Sequence, residues 1–307
     1  MTALRIGTRG SPLARWQAAY TQQALRSLNI ESQIVIIRTH GDDLAEGSAE
    51  AFEGRGIFVK ELELALSRNE VDIAVHSAKD VPSALAPGLE LSGVCRRGSV
   101  EDCLVSRGML TLAELPSGAR VGTTSPRRQA QLLRVRPDLE LMVLRGNVDT
   151  RVRKVDEGAC DAVVLAKAGL ERMELSNRIA ESFDPSRFLP SPGQGFVVLE
   201  SRSDDVRTRD VVRGLDVAEA RAELTAERAL LADLDGGCQA PIGAWARPVA
   251  GVLLLDAAVF SVDGGVCLWR SASRPVEAAE ALGRAVAAEL LAAGAAEVLA
   301  KGRGSKR

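Results

Sequence analysis

The sequence has few of the residues that build metal sites and disulfide frameworks. Its 307 residues include two histidines and five cysteines. The cysteines stand singly, and none forms a CxxC pair. An odd number of scattered cysteines in a long chain argues against a disulfide framework and against structural zinc. We therefore expect a site without a metal.

Long apolar runs and a strong net charge are also missing. No stretch approaches the roughly 20 apolar residues of a membrane span, and the first residues, MTALRIGTRGSP, lack the apolar core of a signal peptide. The formal net charge is −2, which gives no overall attraction for nucleic acid or an anionic membrane. We expect a cytoplasmic protein that binds neither nucleic acid nor membrane.

Lysine is scarce, at 6 of the 39 basic residues, so 33 are arginine. A GC-rich genome is one explanation. The functional explanation is the binding of planar anions, because the arginine fork matches a carboxylate or phosphate in bidentate fashion. Composition alone leaves both explanations open.

A strand–turn–helix pattern occurs twice. Residues 4–8, LRIGT, are typical of a strand, and the Ser-Pro pair at 11–12 then begins a helical pattern. Residues 120–136, RVGTTSPRRQAQLLRVR, repeat this order with a Ser-Pro pair at 125–126. Serine as N-cap with proline at the first helical position is a strong helix start.

A helix followed by an apolar strand is also repeated, in residues 56–80 and 149–169, with Asp161 in the place of Asp72. This alternation predicts an α/β fold with mainly parallel sheets. Two similar α/β domains would face a cleft at the carboxyl ends of their strands, in the manner of periplasmic binding proteins.

The last third of the chain predicts a small α+β domain. A helix ending at Gly236 precedes three strands, which would form a three-stranded antiparallel sheet, and residues 275–300 predict one closing helix. Residues 40–56 are polar and glycine-rich, so we expect a mobile lid over about 42–56. The predicted domains are 1–97 with 196–215 (domain 1), 98–195 (domain 2) and 216–307 (domain 3).

Several arginines lie at strand–helix corners. Arg127 and Arg128 occupy the first turn of a predicted helix, where the macrodipole disfavours cations. An anion at that helix start would explain them. Arg9 precedes the matching helix, and Arg145 and Arg151 follow the apolar run LMVL. Each alone could be a solvated surface arginine, but together they predict a cleft for a polyanion of small or moderate size.

The segment HSAKDVP (76–82) follows the apolar run DIAV. Asp80 either caps this loop or pairs with Lys79, or it stabilises a cation and handles protons. We interpret His76 as a structural hydrogen-bonding residue. The segment PSPGQG (190–195) is either a hinge or a place where backbone approaches a ligand.

Cys238 lies in an unusual setting, DGGCQAPIG (235–243). Free cysteine usually packs in a core, whereas glycine and proline mark exposed turns. A cysteine on such a bend calls for a functional explanation.

Seven segments together resemble the porphobilinogen deaminase family of tetrapyrrole and haem biosynthesis. They cover almost the whole chain, and the combination of HSxKDVP, TSPRRxxQ and GGCQxPIG is specific to that family. In chain order the segments are RIGTRGSPLARWQA, GIFVKELELAL, DIAVHSAKDVP, VGTTSPRRQAQL, LRGNVDTR, LPSPGQG and GGCQAPIG.

The resemblance implies a transferase that condenses four porphobilinogen molecules head to tail, with loss of ammonia, onto a dipyrromethane primer. Hydrolysis would then release linear hydroxymethylbilane. Cys238 would carry the dipyrromethane cofactor through a thioether, since a thiolate is a good nucleophile. Asp80 would be the catalytic residue, binding pyrrole N–H groups and stabilising cations.

The resemblance also implies which residues bind each ligand, in a chain that we expect to be a monomer. The cofactor would be bound by Cys238, Lys79, Ser11, Arg127, Arg128 and Asp80. The carboxylate arms of porphobilinogen would be bound by Arg9, Arg145, Arg151 and Ser11.

Two positions depart from the family pattern. Phe196 stands where a small alanine is common, and its ring either packs behind the cleft or narrows it. Arg55 stands where lysine is usual, which keeps the charge but not the geometry. The competing hypothesis is an anion-binding protein without catalysis, and Cys238 in its full motif favours the enzyme because a plain binder has no use for it.

Overall fold

The structure is a computed structural model that describes residues 3–37, 59–235 and 240–304. The chain divides into two compact units, Met1–Gly98 with Gly195–Arg221 and Ser99–Gln194 with Ala222–Arg307. The predicted lid, with Arg55, and Cys238 lie outside the described residues. The division into three domains stays a prediction, as does the cleft between the two α/β halves.

The first unit contains a five-stranded sheet with strand order β2-β1-β3-β10-β4. β1 pairs in parallel with β2 and β3, whereas β10 runs antiparallel to β3 and β4. The elements are β1 (Leu4–Thr8), α1 (Pro12–Ser27), β2 (Ser32–Ile36), α2 (Lys60–Ser67), β3 (Ile73–Ser77), β4 (Leu89–Val94), β10 (Val197–Arg202) and α6 (Val206–Arg213).

The second unit contains a sheet of the same design, with strand order β7-β6-β8-β5-β9. β6 pairs in parallel with β7 and β8, and β5 runs antiparallel to β8 and β9. The elements are β5 (Asp102–Ser106), β6 (Arg120–Gly122), α3 (Pro126–Val135), β7 (Glu140–Met142), α4 (Val148–Asp156), β8 (Ala162–Ala166), α5 (Lys167–Arg172) and β9 (Glu181–Ser182).

The internal repeat extends to individual hydrogen bonds. The backbone N–H of Arg5 donates to Asp72 Oδ2 at 2.8 Å, and the backbone N–H of Arg120 donates to Asp161 Oδ2 at 2.8 Å. Each aspartate N–H bonds back to the carbonyl of its arginine at 2.9 Å. The correspondence of Asp72 and Asp161 predicted from the sequence is therefore confirmed, and the order of elements confirms the α/β fold class. The expectation of mainly parallel sheets is wrong, because β10 and β5 each run antiparallel to both neighbours, so that two of the four strand pairings in each sheet are antiparallel.

The end of the chain forms the predicted three-stranded antiparallel sheet, with strand order β11-β12-β13. Leu230, Leu255, Leu282 and Val286 are fully buried between this sheet and its helices. The elements are α7 (Ala218–Asp233), β11 (Ile242–Val249), β12 (Val252–Phe260), β13 (Cys267–Arg274), α8 (Ala279–Ala292) and α9 (Ala295–Gly304).

The C-terminal sheet also packs against helix α3 and the segment at Leu189, which both belong to the second α/β half of the chain. Phe260 and Ala258 of β12 form one buried cluster with Ala130 of α3 and with Leu189. Helix α3, which carries Arg127 and Arg128, is therefore held from the side by the C-terminal sheet.

The prediction of a single closing helix is wrong. The structure has two helices, α8 and α9, separated at Gly294. Gly294 has φ +96°, a left-handed conformation that ends a helix and that glycine adopts without a Cβ penalty.

Candidate active site

Arg9 and Ser11 lie at the carboxyl end of β1, where the chain enters α1. Ser11 caps the helix, because its Oγ accepts a hydrogen bond from the N–H of Ala14 at 3.4 Å, and Pro12 takes the first helical position. The first turn of α1 contains no acidic residue. The predicted helix start is confirmed, and the positive end of the helix dipole gives this corner a partial positive charge.

Lys79 and Asp80 follow β3 in a single 3₁₀ turn, Ala78–Asp80. The Lys79 side chain is half-buried and Asp80 is exposed. Gln17 of α1 donates to Ser77 Oγ at 2.8 Å, which ties the end of β3 to α1. Since β1 and β3 are parallel neighbours, their carboxyl ends meet at one edge of the sheet. The structure thus places four predicted site residues, Arg9, Ser11, Lys79 and Asp80, at the same edge.

His76 is buried at the end of β3, next to Glu200 of β10. The His76 Nε2 and Glu200 Oε2 atoms are 2.9 Å apart. This contact confirms the interpretation of His76 as a hydrogen-bonding residue inside the sheet.

Phe196 is buried beside this edge. Its carbonyl accepts a hydrogen bond from the N–H of Ala78 at 3.1 Å, and the guanidinium carbon of Arg97 lies 4.3 Å from the centre of its ring. The phenyl ring therefore packs within the first unit under Arg97, which is a favourable cation–π contact.

Arg127 and Arg128 lie in the first turn of α3, where Ser125 acts as N-cap with its Oγ 3.5 Å from the N–H of Arg128. Both arginines are buried and share Asp102, the first residue of β5. Arg127 Nη1 lies 2.7 Å from Asp102 Oδ2, and Arg128 Nη2 lies 2.7 Å from Asp102 Oδ1. The sequence predicted an anionic partner for these two arginines, and Asp102 supplies one carboxylate to both.

The electrostatics of this cluster leave room for a second anion. Burial raises the pKa of Asp102, but the charges and hydrogen bonds of Arg127 and Arg128 outweigh it and hold that pKa far below its usual range. Among the described residues, Asp102 is the carboxylate within ion-pair distance of either guanidinium. Two cations on one carboxylate leave one positive charge in excess, and a buried excess charge favours a further anion.

The guanidinium donors are partly used within the protein. Arg127 Nη1 also donates to the carbonyl of Leu189 at 2.5 Å, and Arg128 Nη1 donates to the carbonyl of Val164 at 3.0 Å. Because each arginine has five N–H donors, these contacts with Asp102 and the two carbonyls still leave donors for a ligand.

Arg145 and Arg151 flank the turn from β7 into α4. Arg145 is exposed, and Arg151 is half-buried with its Nε donating to the carbonyl of Gly146 at 2.7 Å. Gly146 has φ +122°, and a Cβ there would lie 2.8 Å from Thr150 Cγ2. The β strands that precede Arg127 and Arg145, β6 and β7, are parallel neighbours. Both arginine groups therefore leave the same edge of the second sheet.

The described cysteines are poor candidates for covalent chemistry. Cys95, Cys103 and Cys160 are buried, and Cys267 is half-buried. Burial raises the pKa of Cys103 to about 12 and raises the pKa of Cys160 and Cys267. A thiol with a raised pKa is largely protonated at neutral pH and is a weak nucleophile.

Three buried residues around this site were not predicted from the sequence: Asp102, Gln194 and Glu227. Asp102 accepts hydrogen bonds from both arginines and from Gln194, and Glu227 accepts one from the N–H of Gly193. In the sequence, Asp102 is a charged residue at the start of an apolar strand and Glu227 is a charged residue inside a helix. Each pattern also fits a residue on the surface, so neither indicated burial. Within the described ranges, no group of acidic, histidine or cysteine side chains could hold a metal ion, and no helix is long and apolar enough to cross a membrane.

Two family models and several curated proteins match this chain. Residues 4–210 match the family model for porphobilinogen deaminase, dipyromethane cofactor binding domain, and residues 221–292 match the model for porphobilinogen deaminase, C-terminal domain. A porphobilinogen deaminase of Xanthomonas campestris pv. campestris is 47% identical over 303 residues, which is 98% of this chain and 100% of the relative. One from Syntrophotalea carbinolica is 46% identical, covering 97% and 96% of the two chains.

A solved structure of a nutrient binding protein from Burkholderia cenocepacia bound to methionine is also similar, with a TM-score of 0.44, 12% identity and coverage of 69% of this chain and 91% of that chain. The family models and the relatives confirm the resemblance found in the sequence, including the dipyrromethane cofactor and the polymerisation of porphobilinogen into hydroxymethylbilane. The chain belongs to the porphobilinogen deaminase family.

Proposed function

We propose that Cys238 is the residue that carries the dipyrromethane cofactor, through a thioether to its Sγ. The cysteines that the structure describes are buried or have raised pKa values, as given above. Cys238 lies between α7, which ends at Asp233, and β11, which begins at Ile242. A cysteine in this glycine-rich connection is the one that the sequence offers to a reactive pyrrole.

The surplus positive charge of the cluster formed by Asp102, Arg127 and Arg128 supports the rest of the assignment. A dipyrromethane built from two porphobilinogens carries acetate and propionate arms, and a carboxylate is the anion that an arginine fork binds best. The arginines of this cluster therefore fit the carboxylates of the cofactor. We assign Arg127 and Arg128 to its carboxylates, together with Ser11 and Lys79 from the edge of the first sheet. We assign Asp80, from the same edge, to the pyrrole N–H groups of the cofactor.

Substrate carboxylates are assigned to the remaining predicted residues. Arg9 and Ser11 lie in the chain at the start of α1, and Arg145 and Arg151 flank the start of α4. Each pyrrole ring brings two carboxylates, so several arginines are needed to hold a growing chain. This requirement gives the arginine-rich composition a function.

Asp80 is assigned to the chemical step. When bound, the dipyrromethane supplies the free α-carbon to which the first porphobilinogen is joined. The exposed Asp80 carboxylate would accept hydrogen bonds from pyrrole N–H groups and stabilise the cation that porphobilinogen forms when ammonia leaves. The 3₁₀ turn Ala78–Asp80 places that residue directly after β3, at the sheet edge.

The remaining assignments concern the cellular location, the oligomeric state and the binding partners of the enzyme. We propose a cytoplasmic monomer that does not bind nucleic acid. The net charge of −2 supports the last point, because nucleic-acid-binding surfaces are strongly basic.

The experiment that tests this function is an intact-mass measurement of the denatured protein. We expect a covalent adduct of two pyrrole units on the wild-type chain and none on Cys238→Ser, because a serine hydroxyl is a far poorer nucleophile near neutral pH. Cys267→Ser is the matched control and should keep the adduct.

Full turnover by Cys238→Ser would show that another residue anchors the cofactor. A wild-type chain that porphobilinogen never modifies would instead support the competing hypothesis of a non-catalytic anion binder.

A further inference from the structure

Residues 189–194 form a buried strap between the end of β9 and the boundary of the second unit. Leu189 is fully buried and Gln194 is 1% exposed. The strap has no regular helix or strand. Some of its backbone groups are bonded by side chains that come from two different helices. Others are bonded by backbone, since the carbonyl of Pro190 accepts from the N–H of Ala244 in β11 at 3.0 Å and the carbonyl of Ser191 accepts from the N–H of Gln194 at 2.9 Å.

Helix α3 holds the first residue of the strap. Gln131 Nε2 donates to the carbonyl of Leu189 at 3.0 Å, and the N–H of Leu189 donates to Gln131 Oε1 at 2.7 Å. The same carbonyl accepts from Arg127 Nη1. The position of Arg127 is thus set partly by the strap.

The last residue of the strap reaches the same arginines through Asp102. Gln194 Nε2 donates to Asp102 Oδ1 at 3.0 Å and to the carbonyl of Val100 at 2.7 Å. Oδ1 is also the atom that Arg128 contacts. Moving Gln194 therefore changes the environment of the carboxylate that Arg127 and Arg128 share.

Helix α7 holds the strap from the other side through Glu227, which is fully buried. Glu227 Oε2 accepts from the N–H of Gly193 at 2.6 Å, and Oε1 accepts from the N–H of Ala246 in β11 at 2.9 Å. Burying a carboxylate is costly, and charge-assisted hydrogen bonds of this kind are strong. In sequence, α7 ends five residues before Cys238.

We propose that Glu227 is a positioning residue. Through the strap, it fixes the position of Arg127 and Arg128 relative to α7 and β11, the two elements that flank Cys238 in the sequence. This inference rests on the proposed function, in which Cys238 carries the cofactor and the arginine pair holds it. Glu227 itself touches neither ligand in this scheme.

Glu227→Gln tests the role, since it keeps the size and one acceptor oxygen but turns an NH₂ group toward one of the two backbone donors. Hydrogen–deuterium exchange should speed up in residues 189–194 and also in the first turn of α3, by about tenfold, the effect of losing a charge-assisted bond. The concentration of porphobilinogen that half-loads the apoprotein, read by intact mass, should rise by a similar factor. Glu219→Gln, an exposed change on the same helix, is the control and should alter neither.

Faster exchange confined to the strap, with unchanged loading, would overturn the proposal, because Glu227 would then only stabilise its own surroundings. Gln194→Met covers the case in which Glu227→Gln does not fold. It breaks the bond to Asp102 while leaving that of Glu227 to Gly193, and should again speed exchange in α3. If exchange changes as expected but the wild-type chain takes no adduct, the proposed function has failed and the strap coupling stands.

Discussion

Asp80 and Asp102 are both carboxylates at strand ends, but their surroundings separate their roles. Asp80 is exposed after β3, where it can meet a ligand. Asp102 is fully buried and engaged by two guanidinium groups and an amide. A carboxylate surrounded in this way positions its partners, and it is not available to a substrate.

For Asp80 we predict that elongation in single-turnover assays falls in the order wild type, Asp80→Glu, Asp80→Asn. Asparagine keeps the shape but loses the charge, and removing one preorganised electrostatic group typically costs about 10²–10³ in rate. Glutamate keeps the charge but moves it by one methylene. Loading of the cofactor should persist in the asparagine variant, because the arginines remain. Elongation by Asp80→Asn within a fewfold of wild type would leave Asp80 a structural residue.

For Asp102 we predict a pH-dependent contribution to stability. Its pKa in the folded chain lies below that of an unfolded aspartate, about 3.9, since Arg127 and Arg128 favour the charged form. The stabilisation is therefore fully present above the unfolded pKa and is lost as pH falls toward the folded pKa. The difference in unfolding free energy between wild type and Asp102→Asn, from urea titrations, should be about 3–5 kcal/mol at pH 7 and should shrink below pH ~4. A difference that stays constant into acid would contradict the lowered pKa.

At the scale of elements, α3 connects the site to the C-terminal sheet. The turn between β12 and β13 meets the helix at Gly264, whose carbonyl accepts from Arg134 Nη1 at 3.1 Å. A Cβ on Gly264 would lie 2.6 Å from the carbonyl oxygen of Ala130. The hairpin turn and α3 are in backbone contact, so glycine is required there.

Gly264→Ala should therefore destabilise the chain more than Gly251→Ala. Both glycines have positive φ, +75° and +85°, but a Cβ on Gly251 would meet nothing within 4 Å. The left-handed conformation costs each alanine about 1–2 kcal/mol, and the forced contact at Gly264 should add about 1–3 kcal/mol. Urea unfolding of the two variants measures the difference. Equal losses would show that the turn moves away from α3 without cost.

At the scale of the whole molecule, the chain uses one design twice and then adds a different one. The two five-stranded sheets share strand order and strand direction, and both present candidate site residues at the carboxyl ends of neighbouring parallel strands. The third sheet is antiparallel and packs against α3. The repeated half contains the strand–helix corners at which the candidate arginines lie, and the added sheet follows the segment that contains Cys238.

We predict that the enzyme is a monomer. Edge strands are the usual route to association between sheets, and charged side chains or proline protect them. In the C-terminal sheet, edge strand β11 contains Pro248, and edge strand β13 contains Arg270 and Arg274. Sedimentation equilibrium over a hundredfold range of concentration should give the mass of one chain throughout. A mass that rises to that of two chains would contradict this.

Local signals in the sequence determined a large part of this protein. The Ser-Pro pairs predicted the starts of α1 and α3, and the alternation of helices and apolar strands predicted the two α/β sheets and the repeat of Asp72 in Asp161. These features depend on residues a few positions apart, which is the range over which capping and periodicity act. The motifs around Asp80, Arg127 and Cys238 also identified the family without any tertiary information.

Tertiary structure alone decided which groups meet inside the chain. Asp102 lies 25 residues before Arg127, and Gly193 lies 34 residues before Glu227, so no local pattern could pair them. A charged residue reads as a solvated surface group until the fold shows what covers it, because burial of a charge depends on partners brought together by the whole chain. The arginine pair was therefore predictable from the sequence, whereas its partner Asp102 and the strap that holds both were not.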